Sequence, residues 1–338
     1  MLLFRVFSIP VRFFIVLLIY FSWGPLSGGV VTAPVPEFSS PALIPYPSKV
    51  VRGAGEAGFR SVHVKVGPDV PGRDDLMKEI KDIFRTSGIQ GSLNSGGAAE
   101  GVMTWELFPD ARMKGEGYDL YVGLGKATVS AGSFGGFFNA LQTLRQLVFN
   151  REGEFVMPVV RISDKPAFVL RGIMLDVGRY YMSPALIKEM MRRLSRYKIN
   201  TLHLHLTDDP AWRMEVKKYP ALTDGAFHWK SRLPGRFYTQ AQLKDLTDYC
   251  ARLNIQVIPE IDMPGHSQPF SRAMKTGMQT EKGVSILKDV VDEAVSLFPG
   301  RFFHMGSDEA HISMKDFIPR MAEHIRGKGQ EGVVWSPG

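Results

Sequence analysis

Hydrophobic and polar positions alternate over short stretches in the first part of the chain. Apolar residues occupy every second position at residues 61–66, 118–122 and 126–131, a pattern typical of strands with one buried face. Gly-Leu-Gly separates the last two stretches and predicts a hairpin. Residues 74–87 and 138–149 instead carry apolar side chains at helical spacing. After a lead-in rich in Pro, Ser and Gly at 34–54, these elements predict a small α+β domain over residues 34–165.

From residue 167 onward, apolar strands alternate with amphipathic helices. The pattern predicts strands at 170–175, 201–206, 255–260, 301–305 and 333–335. It predicts helices at 183–197, 239–253, 284–298 and 314–325. Strands and helices that alternate at this spacing predict a parallel sheet, which is either doubly wound or closed as a barrel.

Charged residues directly follow four of these predicted strands. They are Asp176 and Arg179, Asp208 and Asp209, the segment 260–266, and Asp308 and Glu309. In a barrel, the loops after successive strands all open onto one mouth, whereas a doubly wound sheet concentrates its site near one switch point. Four polar strand ends in succession therefore favour the barrel.

The predicted barrel is short. A complete (β/α)8 barrel typically takes about 250 residues, whereas residues 167–338 supply 172 residues and five strand patterns. The predicted fold class is therefore α/β, an incomplete (β/α)8 TIM-type barrel of about five of eight strands over residues 166–338, preceded by the small α+β domain. We expect the chain to be C-terminally truncated.

Residues 1–33 have the pattern of a secretory signal peptide. Two arginines lie in the first twelve residues, an almost wholly apolar run follows at 13–23, and small residues with turn formers come next. An uncleaved anchor is the alternative, although that run of 11 residues is shorter than the roughly 20 that a spanning helix needs. We expect export to the periplasm or the medium, or to the lysosome in a eukaryote, with membrane contact only through an uncleaved signal.

The charge of the chain is basic but dispersed. Lys and Arg total 41 against 34 for Asp and Glu, a net charge of +7, and no block of basic residues interleaved with aromatics occurs. This predicts a solvated surface of mixed charge and no nucleic-acid partner. The single cysteine, Cys250, cannot form a disulfide within the chain and is expected to be buried. No glycine-rich phosphate loop leads from a strand into a helix, so no nucleotide cofactor is expected.

Adjacent carboxylates at Asp308 and Glu309 are the strongest candidates for chemistry. Two neighbouring carboxylates at one substrate should differ in pKa, so that one stays protonated as an acid. The alternative is a helix N-terminus, where such residues cap free amides. His266 follows Pro264-Gly265 and is suited to tuning an acid; the alternative is a structural histidine.

Several other residues have two interpretations each. His203 and His205 share one strand face and offer two metal ligands, but no third ligand with a recognisable spacing accompanies them, so no metal is expected. Asp208 and Asp209 either end a strand in an Asx turn or supply a carboxylate to position His266. Arg179 either binds sugar hydroxyls as a fork or pairs with Asp176. The tryptophans are sugar-stacking platforms or core residues: Trp212, Trp229 and Trp335.

Together these motifs resemble the glycoside hydrolase family 20 β-N-acetylhexosaminidases. The matching segments are 171–179 (RGIMLDVGR), 198–209 (KINTLHLHLTDD), 259–266 (PEIDMPGH) and 304–309 (HMGSDE). Residues 117–147 are also similar to the small domain that precedes the barrel of this family.

The resemblance implies hydrolysis of terminal non-reducing N-acetylhexosamine from a glycan, glycoconjugate or chitooligosaccharide, with retention through a substrate-assisted oxazolinium intermediate and without a metal or other cofactor. It makes Glu309 the general acid, with a pKa raised by the adjacent anion and partial burial. Asp308 would orient the acetamido group, and Asp208 and His266 would form a supporting chain toward Glu309. The substrate-binding residues would be Arg179, Asp209 and Trp335.

A non-catalytic sugar-binding or regulatory truncated isoform is the alternative function. It is based on the three strands that the pattern lacks. The sequence leaves open a homodimer and the choice between gluco and galacto sugars.

Overall fold

The computed structural model describes residues 42–93 and 101–335. The predicted signal peptide at 1–33 lies outside these ranges. Within them, no helix combines the length and the apolar character that crossing a membrane requires. The described residues form two large sheets, one over residues 49–164 and one over residues 172–333.

The first sheet is mixed and carries two helices. Its strands are β1 (Lys49–Phe59), β2 (Ser61–Val66), β3 (Gln90–Leu93), β4 (Val102–Pro109), β5 (Tyr118–Val122), β6 (Lys126–Ala131), β7 (Phe149–Arg151) and β8 (Glu154–Asp164). The strand order is β1-β8-β5-β6-β4-β2-β3, with β7 paired to β8. The helices are α1 (Arg73–Ser87) and α2 (Phe134–Leu147). The antiparallel hairpin of β5 and β6 is confirmed at the predicted residues.

Five strands of this sheet have no counterpart in the sequence prediction: β1, β3, β4, β7 and β8. The predicted lead-in is wrong from Lys49 onward, because β1 begins there. Most side chains of β1 are exposed, so the strand shows no alternation of apolar and polar residues. It is held instead by antiparallel pairing with β8, about a hundred residues further along the chain (Lys49 opposite Ser163).

The second sheet contains five parallel strands in chain order. They are β9 (Gly172–Asp176), β10 (Thr201–His205), β13 (Gln256–Glu260), β14 (Phe302–His304) and β15 (Glu331–Val333). The connecting helices are α3 (Pro184–Ser195), α4 (Gln240–Ala251), α6 (Glu281–Leu297) and α7 (Phe317–Gly327). Because strand order follows chain order, with a helix in every crossover, the architecture is that of a barrel and not of a doubly wound sheet.

Two loops of the second region contain further elements. The loop after β10 holds a small hairpin, β11 (Thr207–Asp208) with β12 (Ala211–Trp212), and two 3₁₀ turns at Pro220–Thr223 and Gly225–Phe227. The loop after β13 holds α5 (Gln268–Met274). These loops leave the carboxyl ends of the strands, where the charged sequence motifs also lie.

The helices around the parallel sheet begin at side chains that cap their first free amides. The hydroxyl of Ser183 accepts from the Leu186 amide at the start of α3, and Thr280 accepts from the Gly283 amide at the start of α6. Thr239 and Gln242 form a reciprocal capping box at the start of α4. Each cap satisfies a donor that the helix itself cannot pair.

Strand register places four titratable residues in one row across the parallel sheet. His205 lies opposite Asp176 of β9 on one side and opposite Glu260 of β13 on the other. Glu260 in turn lies opposite His304 of β14. This row marks the carboxyl end of the sheet and is the base on which the candidate site is built.

Ion pairs join the first region to the second. Glu79 and Asp82 of α1 contact Arg192 of α3, and Arg145 of α2 lies 2.7 Å from Glu79 and 3.0 Å from Asp82. A second cluster pairs Lys198 with Asp164 at 2.9 Å and Arg171 with Glu116. The two sheets are thus held together by charged side chains that are mostly withdrawn from solvent.

Candidate active site

A buried carboxylate holds His266 in the loop after β13. Asp262 is 1% exposed, and its Oδ2 lies 2.7 Å from Nδ1 of His266. Burial raises the pKa of Asp262. Burial alone would lower the pKa of His266, but its hydrogen bond to Asp262 and the nearby Asp208 charge raise it above the ordinary value. The pair therefore presents a protonatable imidazole, with its Nε2 turned to the next loop.

Glu309 stands in front of that imidazole. Its Oε2 lies 3.5 Å from Nε2 of His266, and its side chain is 77% exposed. The expected partial burial of Glu309 is therefore wrong. Its backbone is in the left-handed region, with φ of 52°, as is that of Ser307 with φ of 75°. This turn carries the side chain out of the sheet into the open mouth.

Asp308 lies closer to the protein than its neighbour. It is half-buried, and one of its oxygens, Oδ1, is withdrawn from solvent without a hydrogen-bond partner among the described residues. Ligand atoms of Asp308, Asp262 and His266 all lie within 4.8 Å of one another. A buried carboxylate oxygen without a donor is costly, and it is ready to accept a hydrogen bond from a ligand N–H.

Gly306 allows the two loops to meet. A Cβ on this residue would lie 1.9 Å from Oδ1 of Asp262, and its φ is +67°. The same Asp262 oxygen accepts a hydrogen bond from the Ser307 amide at 3.2 Å. Only glycine fits this position, since both the space and the backbone conformation exclude a side chain.

Arg179 is anchored on two carboxylates at the other side of the mouth. Its guanidinium lies 2.8 Å from Asp176 and 3.0 Å from Asp208, and its own amide donates to Asp176. Burial opposes the charge, but the hydrogen bond to Asp176 and the attraction of Asp208, Asp176 and Asp262 raise the pKa of Arg179. Half of the side chain remains exposed. Both interpretations of Arg179 are compatible with this geometry, because pairing with Asp176 orients the exposed part.

Asp208 does not hold His266 through a hydrogen bond. The structure gives that position to Asp262, and Asp208 instead receives His205 Nε2 at 2.9 Å and Arg179. Asp208 reaches His266 only through its charge. The neighbouring Asp209 accepts from the Gln268 amide at 3.2 Å and joins the β10 loop to the start of α5. It is half-buried.

Glu260 forms the centre of a buried cluster that the sequence interpretation did not include. It is fully buried, and its carboxylate lies 2.6 Å from His203 Nε2, 3.0 Å from His205 Nδ1 and 3.3 Å from His304 Nδ1. Burial alone would raise the pKa of Glu260, but the close contacts with the three histidines outweigh it and lower the pKa well below the usual range. Glu260 is therefore a buried carboxylate that stays ionised.

No third ligand follows His203 and His205 at a recognisable spacing in the sequence, but in space His203 lies with Glu260 and His304, and His205 with Glu260 and Asp262. Nδ1 of His304 accepts from the Gly306 amide at 3.0 Å, so this nitrogen has a partner within the protein.

Trp335 packs against this cluster. Its ring centroid lies 4.6 Å from that of His304 and 5.3 Å from that of His203, and its indole N–H donates to Glu260 at 3.0 Å. The indole is half-buried. Of the other tryptophans considered, Trp212 is 1% exposed and belongs to the core, whereas Trp229 is 39% exposed.

The site can combine a solvent-facing carboxyl group, an imidazole beside it, a carboxylate oxygen that lacks a donor, and an anchored guanidinium. Sequence reasoning missed Asp262, Glu260 and His304 as parts of this arrangement. Asp262 precedes His266 by four residues within the quoted segment 259–266, and this spacing was the available signal. The role of Glu260 required the register of three strands, which no single segment shows.

Known proteins share both regions. The catalytic domain of glycosyl hydrolase family 20 matches residues 168–282, and domain 2 of the same family matches residues 40–165. The β-hexosaminidase of Porphyromonas gingivalis is 37% identical over 231 residues, 58% of this chain and 29% of that protein. The β-N-acetylhexosaminidase of Cellulomonas fimi is 31% identical over 266 residues, 71% of this chain and 54% of that protein.

Solved structures of β-hexosaminidases are also similar to this chain. A mutant Streptomyces plicatus β-hexosaminidase in complex with its product GlcNAc is 28% identical, with a TM-score of 0.76 over 87% of this chain and 65% of that one. The β-N-acetylhexosaminidase of Bacteroides fragilis is 27% identical, with a TM-score of 0.74 over 86% of this chain and 65% of that one.

The chain spans from 29% to 54% of the length of these curated relatives. Residues 304–309 lie beyond the range matched by the catalytic domain. Since two domains of one family match adjacent parts of the sequence and relatives of that family share the fold of both regions, the chain belongs to glycoside hydrolase family 20.

Proposed function

We propose that the protein is a β-N-acetylhexosaminidase that removes terminal N-acetylhexosamine from glycans, glycoconjugates or chitooligosaccharides with retention of configuration. The observation that carries this proposal is the buried, unpartnered Oδ1 of Asp308 beside the His266–Asp262 pair and Glu309. An acetamido N–H is a donor of the kind that this oxygen lacks. The names of the relatives support the same activity.

The reaction divides between the substrate and two carboxyl groups. Asp308 accepts the acetamido N–H, so that the acetamido carbonyl oxygen attacks the anomeric carbon and forms an oxazolinium ion. Glu309 donates its proton to the leaving glycosidic oxygen. It then removes a proton from the water that opens the oxazolinium ion. His266, held by Asp262, stands behind Glu309, and Arg179 binds ring hydroxyls of the sugar.

The test is hydrolysis of an aryl β-N-acetylglucosaminide by the full chain. We expect release of the aryl group with retention. Glu309→Gln should abolish hydrolysis of an aryl glycoside with a poor leaving group, whereas one with a good leaving group should partly escape the loss because it needs little protonation. Asp308→Asn should lower kcat for the same substrate. Lys244→Met, which changes an exposed Lys244–Asp248 pair on α4, serves as the control. No hydrolysis by the wild type would contradict the proposal.

A non-catalytic sugar-binding protein is the second candidate. It is favoured by the 77% exposure of the Glu309 side chain, which leaves that carboxyl group open to water instead of enclosed in a site that excludes it. Binding of GlcNAc that is weakened by Arg179→Ala, without any hydrolysis, would support this candidate over the enzyme.

We further propose that the protein is exported, because residues 1–33 have the pattern of a secretory signal peptide. Cleavage near residue 33 on expression in a host that secretes proteins, read from the intact mass, would support it. An uncut chain retained in the cytoplasm would contradict it.

A further inference from the structure

Side chains of alternating charge form a path from the buried Glu260 of β13 to the open mouth of the barrel. Glu260 on β13 contacts His205 on β10, His205 contacts Asp208, and Asp208 contacts Arg179. The distances along this path are 3.0, 2.9 and 3.0 Å. The first three residues are at most 4% exposed, and only the guanidinium reaches solvent.

Both ring nitrogens of His205 face carboxylates. Nδ1 lies 3.0 Å from Oε2 of Glu260, and Nε2 lies 2.9 Å from Oδ2 of Asp208. Nε2 is hydrogen-bonded to Asp208, whereas Nδ1 is in ion-pair contact with Glu260 without the alignment of a hydrogen bond. A neutral imidazole would set the lone pair of one nitrogen against a carboxylate, whereas an imidazolium is attracted by both anions. The contacts are therefore those of an imidazolium between two anions.

The charges around His205 agree with this state. Glu260 faces it from β13, Asp208 from the loop after β10 and Asp176 from β9, and a carboxylate oxygen of Asp262 lies within 4.8 Å of it, while the ring of His304 lies on the far side of Glu260. Burial alone would lower the pKa of His205, but its hydrogen bond to Asp208, its contact with Glu260 and the Asp176 charge raise it to about 10.

We propose that His205 and Glu260 are positioning residues for Arg179: the imidazolium fixed by Glu260 holds the Asp208 carboxylate in the one orientation that anchors the guanidinium toward the sugar. The expected effect on sugar affinity rests on the proposed function, in which Arg179 binds ring hydroxyls of an N-acetylhexosamine. The expected effect on the order of the Arg179 side chain does not depend on that function.

The physical reason lies in how Asp208 is shared. Oδ2 of Asp208 accepts from His205 and lies 3.0 Å from the guanidinium of Arg179, and Oδ1 accepts from the Asp209 amide at 2.6 Å. Without the imidazolium, Asp208 keeps the amide on Oδ1 and loses the buried side chain that holds Oδ2 beside the guanidinium. Arg179, with 48% of its side chain exposed, would then lose Asp208 as a fixed partner and keep only its contact with Asp176.

The first experiment is NMR on the full chain and needs no substrate. In the wild type, long-range ¹H–¹⁵N spectra assigned with His205→Asn should show both ring nitrogens of His205 protonated from pH 6 to pH 9. The side-chain Nε–H of Arg179 should be ordered on the ps–ns timescale and should lose order in His205→Asn and in Glu260→Gln. A neutral His205 ring at pH 7, or an Arg179 equally ordered in both variants, would overturn the inference.

The second experiment measures the affinity for GlcNAc and, where hydrolysis occurs, kcat and KM. We expect His205→Asn to weaken affinity and raise KM about tenfold, with a smaller change in kcat. In an Arg179→Ala background the same change should have no further effect on affinity, because His205 acts through Arg179. Additive effects would refute the positioning role, as they are what general loosening of the core produces.

Two further measurements separate folding from positioning. His324→Asn removes another His–Asp pair, 2.7 Å from Asp292 and outside the site, and should leave affinity and KM unchanged. If His205→Asn does not fold, Glu260→Gln takes its place in the same cycle. A wild type without any sugar binding or hydrolysis would contradict the proposed function alone, since the NMR result still decides whether His205 orders Arg179.

Discussion

Two buried groups of charges in this molecule are built from different side chains. At the contact between the two regions, Glu79 and Asp82 face the arginines of α2 and α3, whose charge does not change below about pH 12. At the mouth of the barrel, Glu260, Asp208 and Asp262 face histidines instead. The first group joins two sheets, and the second surrounds a candidate site.

The group between the two regions serves stability, whereas the group at the mouth offers side chains for chemistry. Both oxygens of Glu79 have partners, Oε1 with Arg145 and Gln142 and Oε2 with Arg192, so the carboxylate at the centre of the contact between regions is fully paired. At the mouth, Asp308 keeps a buried oxygen without a partner among the described residues, and the Glu309 carboxyl group lies in solvent. A fully paired carboxylate has no free oxygen for a ligand, whereas an unpaired one is available to accept a hydrogen bond from a ligand.

The largest effect should come from removing the fully paired carboxylate of Glu79. Glu79→Ala leaves Arg145 and Arg192 with fewer anions at the contact between regions, which should lower the free energy of unfolding by about 3–5 kcal/mol. Urea denaturation would measure this. Glu189→Ala, which removes an exposed pair with Arg193 on α3, should cost less than about 1 kcal/mol. Equal losses in the two variants would show that burial of the Glu79 cluster contributes nothing.

The next effect concerns the mouth. Gly306→Ala forces a methyl group against Asp262 and displaces the support of His266, so kcat should fall by about 100-fold. Gly329→Ala is the matched control, because that glycine also has positive φ, +87°, but no atom lies within 4 Å of its Cβ position. It should lose stability only, by about 1 kcal/mol. A normal kcat in Gly306→Ala would mean that the position of Asp262 does not matter.

The smallest effect is a pH dependence that should differ in direction between the two groups. Burial alone would raise the pKa of Asp82, but hydrogen bonds from Arg85 and Arg145 and the charge of Arg192 lower it to about 2 from 3.8. A lowered folded pKa stabilises the protein above pH 3.8, and the stabilisation is lost as pH falls through about 2. The penalty of Asp82→Asn, roughly 2 kcal/mol near pH 6, should therefore shrink in acid.

For His205 the folded pKa is raised, so the sign is reversed. Its stabilisation is complete below pH 6.5 and is lost as pH rises through about 10, and the penalty of His205→Asn should shrink in alkali. Urea denaturation of both variants across the pH range tests the pair. Asp75→Asn, which alters a pair with an exposed lysine, Lys78, is the control variant. A penalty that is flat with pH in either variant would contradict the assigned direction.

Local patterns predicted the barrel region well because each of its elements carries its own signal. The five parallel strands and the four helices between them overlap the predicted ranges, although β15 shares only Val333 with its range, since apolar runs and amphipathic helices are evident in single segments. The paired strands β1 and β8 were missed because pairing across a hundred residues, and not local alternation, defines them. The exposure of Glu309 and the exchange of Asp208 for Asp262 beside His266 depend on loop geometry with positive φ, which residue types alone do not encode.

The aligned row of Asp176, His205, Glu260 and His304 has a consequence for how the strands assemble. If β10 slid by one residue against its neighbours, Leu204 or Leu206 would take the place of His205 between the two carboxylates. The acids would then be sealed in an apolar layer with no cation, a penalty of several kcal/mol. The same charges that serve the mouth thereby disfavour a shift of β10 by one residue against its two neighbours.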